Sequence, residues 1–173
     1  NSVIFNEGTA QIKATGDYNK IDINYTNVLL GQDSILVDSS VTSGIAQVNW
    51  GSDNIDVNPM FVDIANGNYH LLASSQLINA GHPDSLDSDG SITDIGAYPY
   101  LNSYSGPTWY ISTSGNNTTA TGAADDPFKS IQAGINFSSS GDSVTVAAGT
   151  YVENIHFPGK NIDVIGVDRE TTI

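Results

Sequence analysis

Short apolar clusters recur along the first hundred residues, with polar turns between them: Val3-Ile4-Phe5, Ile21 to Tyr25, Ile45 to Trp50 and Tyr69 to Leu72. In the second cluster Ile21, Ile23 and Tyr25 alternate with Asp22 and Asn24, the period-two pattern of a half-buried strand. The clusters lie about 18 to 25 residues apart, which is a solenoid spacing. Gly, Asn, Asp and Ser fill the gaps, and all four favour turns. Hairpin signals are few, namely Asn66-Gly67 and Asp89-Gly90. The pattern predicts parallel strands on coils stacked about 4.8 Å apart, a parallel β-helix, and fits a β-sandwich less well.

Near residue 101 the pattern changes. Residues 102–107, NSYSGP, read as a polar, turn-rich linker. Trp109 to Ser112 reads as a strand, and Ser114 to Asp126 as a loop without a core. Asp125 or Asp126 can cap a helix that has Pro127 in its first position. Phe128, Ile131 and Ile135 then share one apolar face, so one short helix is expected near 127–137. Strands follow at Ser143 to Ala147 and at Asn161 to Val167. A helix ahead of the first coil would cover its apolar end. The expected organisation is 1–101 as closing coils, 102–107 as linker, and 108–173 as a cap with opening coils.

Composition narrows the function classes. The chain has 173 residues, 39% of them hydrophobic, with 19 acidic and 5 basic side chains and a formal net charge of −14. The cations Lys13, Lys20, Lys129, Lys160 and Arg169 are scattered, which argues against nucleic-acid partners. The absence of cysteine excludes disulfides, a thiol nucleophile and thiolate metal sites. No run approaches the roughly 18 apolar residues of a membrane span. The acid is mostly Asp, which suits turns and a solvated surface.

The phrases GDSVTVAAGTYVENIHFPGKNIDVIGVDRETTI (141–173), WYISTSGNN (109–117) and DPFKSIQAGIN (126–136) resemble the opening coils, first strand and capping helix of right-handed parallel β-helix proteins of the pectate-lyase-like superfamily. NPMFVD (58–63), GNYHLLASSQLINAG (67–81) and DSLDSDGSITDIGAYPY (84–100) resemble the closing segment of such proteins, with Gln76 and Asn79 where Pro and Asp are common. The resemblance implies a right-handed parallel β-helix, mostly β, from a bacterial secreted or cell-surface protein. An end followed by a beginning reads as a segment of a longer exported polypeptide with tandem β-helices. The connection from Tyr100 to Trp109 spans at most about 30 Å, so folding the second part back to stack on the open start of the first would be strained. Head-to-tail self-association between copies through open coils is the easier contact.

Candidate chemistry is sparse. Asp84, Asp87, Asp89 and Asp94 form the densest acidic cluster, and the Asp87-Ser-Asp89-Gly90 spacing can place carboxylates around a calcium ion. The further ligands of an EF-hand-like loop are missing, and an Asx-rich turn explains the same residues. Tyr98, Tyr100, Trp109 and Tyr110 gather around the linker; such rings can stack on the apolar face of a sugar or cover the two solenoid ends. A polysaccharide lyase needs a cation and a basic proton acceptor in one groove. Here Arg169 reads as a surface residue beside Asp168 and Glu170, and Lys160 as an exposed turn residue beside Gly159. His70, His82 and His156 fall in no metal-binding spacing. No catalytic residue is assigned. The expected function is a non-catalytic secreted or cell-surface segment, a scaffold or adhesin-like stalk with polysaccharide contact. The rivals are part of a polysaccharide lyase or hydrolase whose catalytic coils lie elsewhere, and a calcium-stabilised spacer.

Overall fold

The computed structural model describes residues 2–4, 12–14, 20–37 and 47–172. Phe5 and Ile45 of the predicted clusters lie outside them. The strands are β1 (Ser2–Ile4), β2 (Ile12–Ala14), β3 (Lys20–Ile23), β4 (Thr26–Val28), β5 (Ile35–Val37), β6 (Gln47–Trp50), β7 (Phe61–Asp63), β8 (Asn68–Leu71), β9 (Thr108–Ile111), β10 (Ser143–Val146) and β11 (Asp163–Gly166). The α-helix among the described residues, α1, spans Ile131–Phe137.

The expected right-handed parallel β-helix is not what these strands build. Among the described residues they form small separate sheets. β1–β4, β2–β5 and β3–β6 are parallel pairs, β7–β8 is an antiparallel pair, and β11–β10–β9 is a three-stranded parallel sheet. No continuous solenoid runs through them. The spacing of apolar clusters predicts where strands fall and that their partners are distant in sequence. It does not say how many strands share one sheet.

What ends the pairing is visible in the N-terminal region. Within β4, Asn27 is fully buried, pairs with Val3 of β1 on one side and makes one backbone bridge to Ile55 on the other. Its side chain then replaces a ladder: Nδ2 donates to the Val57 carbonyl and Oδ1 accepts the Val57 N–H, both at 3.0 Å. Asn54 does the same between strands, accepting the Thr26 N–H at 3.1 Å and donating to the Ile23 carbonyl at 2.7 Å. Buried backbone groups must be paired, and an amide side chain offers both a donor and an acceptor.

The C-terminal core is apolar. β9 and β10 run in parallel with Val144 opposite Trp109 and Val146 opposite Ile111, and all four point inward. Phe128, Ala133 and Ile135 pack on them. The helix can approach because residue 134 is glycine: a Cβ there would stand 2.7 Å from Val144 Cγ1 and 2.9 Å from Ile111 Cδ1. The helix begins four residues after Pro127, later than its periodicity predicts. Phe128 is the reason. Its N–H donates to the Tyr110 carbonyl and its carbonyl accepts the Ser112 N–H, both at 2.9 Å, so this stretch is held extended against β9. The N-terminus of α1 is capped from outside by Glu153, whose carboxylate accepts the Ile131 and Gln132 N–H groups at 2.8 and 3.0 Å.

A second apolar cluster, Leu71, Leu77, Ile78 and Ile95, joins the first through Tyr100 and Phe137, which touch both. Contact between the two halves is therefore made within one chain. Asn136 on α1 donates to the Ala73 and Ser75 carbonyls at 2.8 and 2.7 Å, and the Ala73 N–H donates to the Asn117 carbonyl at 2.7 Å. The contact joins residues 73–79 to the end of α1 and to Asn117.

Candidate functional site

The acidic segment 82–102 folds around its own carboxylates. Asp94 is buried, and its two oxygens accept the Asn79 and Tyr100 N–H groups, each at 2.7 Å. Asn79 takes a left-handed conformation there, with φ of 54°, which Asn tolerates better than most residues. Asp87 accepts the Asp94 N–H at 3.3 Å. Asp89 accepts the Asn102 N–H and the Ser91 hydroxyl, both at 2.7 Å, and the Ser91 N–H at 3.1 Å. Asp84 lies in the neighbouring turn, where its N–H donates to His82 Nδ1 at 3.1 Å. Burial pushes the Asp94 carboxyl up to about 6, against the lowering effect of its two amide donors. Partial burial also raises Asp87, whereas the hydrogen bonds Asp89 accepts together outweigh its burial and lower it. Three of the four candidate ligands are thus engaged with backbone amides. Among the described residues no group of three or more His, Asp or Glu side chains is placed to hold a metal ion.

The aromatic candidates separate into two environments. Trp109 is 2% exposed, with its ring among Tyr104, Phe128 and Phe137 and its Nε1 donating to Asp142 at 2.9 Å. Tyr100 packs on Phe137, and its hydroxyl donates to the Ala120 carbonyl at 2.7 Å. Both rings belong to the packing that joins the halves, which removes them from the stacking set. Tyr110 is half-buried on the opposite face of β9 from Trp109. Tyr98 alone of the four is largely exposed, at 48%.

Around Tyr98 the structure assembles partners that the sequence pattern does not single out. β7 and β8 form a hairpin closed at Asn66-Gly67, where Gly67 has φ of 74° and Asp63 accepts the Asn66 N–H at 3.2 Å. A two-stranded ribbon cannot bury both faces. Leu71 turns inward, while Asn68, Tyr69 and His70 stay exposed. His70 stacks on Tyr98 with ring centres 4.5 Å apart, and its Nδ1 lies 2.9 Å from Asn68 Oδ1. Phe61 meets Tyr69 edge to face at 5.4 Å. Phe61, Tyr69 and Tyr98, together with Ser2 and Val3 of β1 and with Gly96 and Ala97, line a cavity of about 360 Å³. The signal available in the sequence was the Asn-Gly turn followed directly by Asn-Tyr-His.

Lys160 is not the exposed turn residue its neighbour Gly159 suggests. It is half-buried and donates to the Ile135 and Asn136 carbonyls at 3.0 and 2.7 Å, the C-terminal end of α1. Burial lowers its pKa from the ordinary lysine value. It lines a cavity of about 720 Å³ between the halves, with His156, Asn79 and Phe137.

No curated protein and no solved structure matches the chain. Residues 113–159, from just after β9 through α1 and β10 to the turn before Lys160, match DUF1565, described as a protein of unknown function and associated with right-handed β-helix proteins.

Proposed function

We propose that this chain is a non-catalytic structural segment of a secreted or cell-surface protein, with glycan contact through exposed aromatic rings. The observation that carries the reading is how the polar side chains are used. Asp87, Asp89, Asp94, Glu153, Asn27, Asn54, Asn136 and Lys160 bond to backbone groups, most of them joining distant segments. These carboxylates, amides and the lysine are committed to the fold and not turned toward a shared groove. The acidity keeps such a surface solvated and self-repelling. Incubation with pectin, alginate and neutral polysaccharides tests the catalytic half of the reading. The expected result is neither unsaturated product nor new reducing ends, and turnover of any of them overturns it. Retention on insoluble polysaccharides tests the glycan half.

A further inference from the structure

We propose that the cavity between β1, the β7–β8 hairpin and the Gly96–Tyr98 turn is a binding site for a neutral saccharide. The inference rests on the glycan-contact reading above and gives it a place and a chemical class.

Three observations converge on this cavity. The first is the pair of phenol rings on its wall: Tyr69 and Tyr98 are 46% and 48% exposed and both line it. Exposed tyrosine presents an apolar face and a hydroxyl together, which matches a pyranose, with its C–H face and its ring of hydroxyls. The second is that the rings are held in place without ligand. The His70 imidazole lies nearly parallel to Tyr98, at 17°, and is itself fixed by Asn68, while Phe61 braces Tyr69 edge to face. A ring oriented by its neighbours loses less freedom on binding. The third is charge. Apart from the two tyrosines, the described residues that line the cavity are Phe61, Val3, Ser2, Gly96 and Ala97, none of them charged, in a chain whose formal net charge is −14. A polyuronate would meet repulsion from the net charge of the protein, with no cation among the described lining residues to offset it. A neutral sugar meets no such penalty. The volume, about 360 Å³, lies at the small end of ligand clefts, room for a short saccharide stretch.

The test is calorimetric titration of the chain with neutral β-linked hexasaccharides of glucose, mannose and xylose, and with oligogalacturonate of the same length. Tyr69→Ala, Tyr98→Ala and Tyr98→Phe are measured beside the parent, with thermal melting as a check on folding. The expected result is binding of at least one neutral hexasaccharide, weakened about tenfold or more by either alanine and within about threefold of the parent in Tyr98→Phe. Neutral binding untouched by both alanine variants overturns the site and leaves glycan contact standing elsewhere on the surface. Tighter binding of oligogalacturonate than of every neutral sugar overturns the chemical class. No binding of any saccharide overturns the site together with the glycan half of the proposed function, while the catalytic half is decided separately by product formation.

Discussion

Residues 108–146 and residues 20–57 are both built from short parallel strands, yet they are held together by different means. The first closes on Trp109, Ile111, Phe128, Ile135, Val144 and Val146, all 2% exposed or less. Among its described residues the second buries few apolar side chains beyond Ile23 and Val28, and joins its strands through the amides of Asn27 and Asn54. In one region shape and apolar area decide how β9 and β10 pack against the helix and Phe128, and the sheet they share with β11 has three strands. In the other, hydrogen-bond partners decide the arrangement, and each sheet stops at two strands. Directional bonds satisfy the backbone at one address and do not extend to a further coil.

The comparison makes graded predictions. Phe128→Ala, in the apolar region, should cost about 3–5 kcal/mol, from a fully buried ring stacked against Phe137 at 5.1 Å. Denaturant unfolding reads this directly, and a loss below about 1 kcal/mol would remove the contrast. Next comes a device of the polar kind that is also titratable. Asp94 is raised from 3.8 to about 6, so its contribution favours the fold fully below its unfolded value and is lost as pH rises through about 6. The difference of about two pH units corresponds to roughly 3 kcal/mol. Asp87 and Asp89 face Asp94, and its ionisation brings like charges together. The stability difference between the parent and Asp94→Asn, followed by urea unfolding from pH 4 to pH 7.5, should shift against the parent across that window; a flat difference would show that Asp94 is not a titrating joint.

Asn27→Ala should cost about 2 kcal/mol, because the Val57 N–H and carbonyl lose their partner in a partly buried place. If Asn27→Leu, similar in size, proves as stable as the parent, apolar packing suffices here too and the two regions differ less than their contacts suggest. Gly134→Ala should destabilise by about 1–3 kcal/mol although alanine is the better helix former, since its Cβ would press on Val144 and Ile111. Glu153→Ala, which removes the external cap of α1, should lower stability by about 1 kcal/mol, measurable as a small drop in melting temperature.

β9, β10 and β11 extend the same lesson within one sheet. β9 and β10 alternate half-buried and buried residues, whereas β11, in register beside β10 and just as rich in Val and Ile, is exposed at every position. The two strands look alike in sequence. The helix and Phe128 cover one and not the other.

Strand positions at Ile21, Val48, Trp109, Val144 and Val164, the distant parallel pairing and the Asn66-Gly67 hairpin were legible in the chain, because alternation and turn chemistry are local properties of a few neighbouring residues. The β-helix itself was not, since repeat spacing carries no record of where a ladder stops. Nor was the place of the asparagines: Asn136 falls inside the expected helix, Asn27 and Asn54 carry no local mark of their role, and only tertiary contact turns their amides toward backbone some 28 to 63 residues away. The same holds for the candidate site. Local pattern marked Tyr98 as one aromatic among several. Packing buried Trp109, set Tyr100 half-buried against the core, and placed Tyr98 beside His70 on a cavity that Tyr69 also lines. Sequence determined which residues prefer strand, turn and burial. Tertiary structure decided which buried donor meets which acceptor, because those bonds depend on distances between segments that no local preference contains.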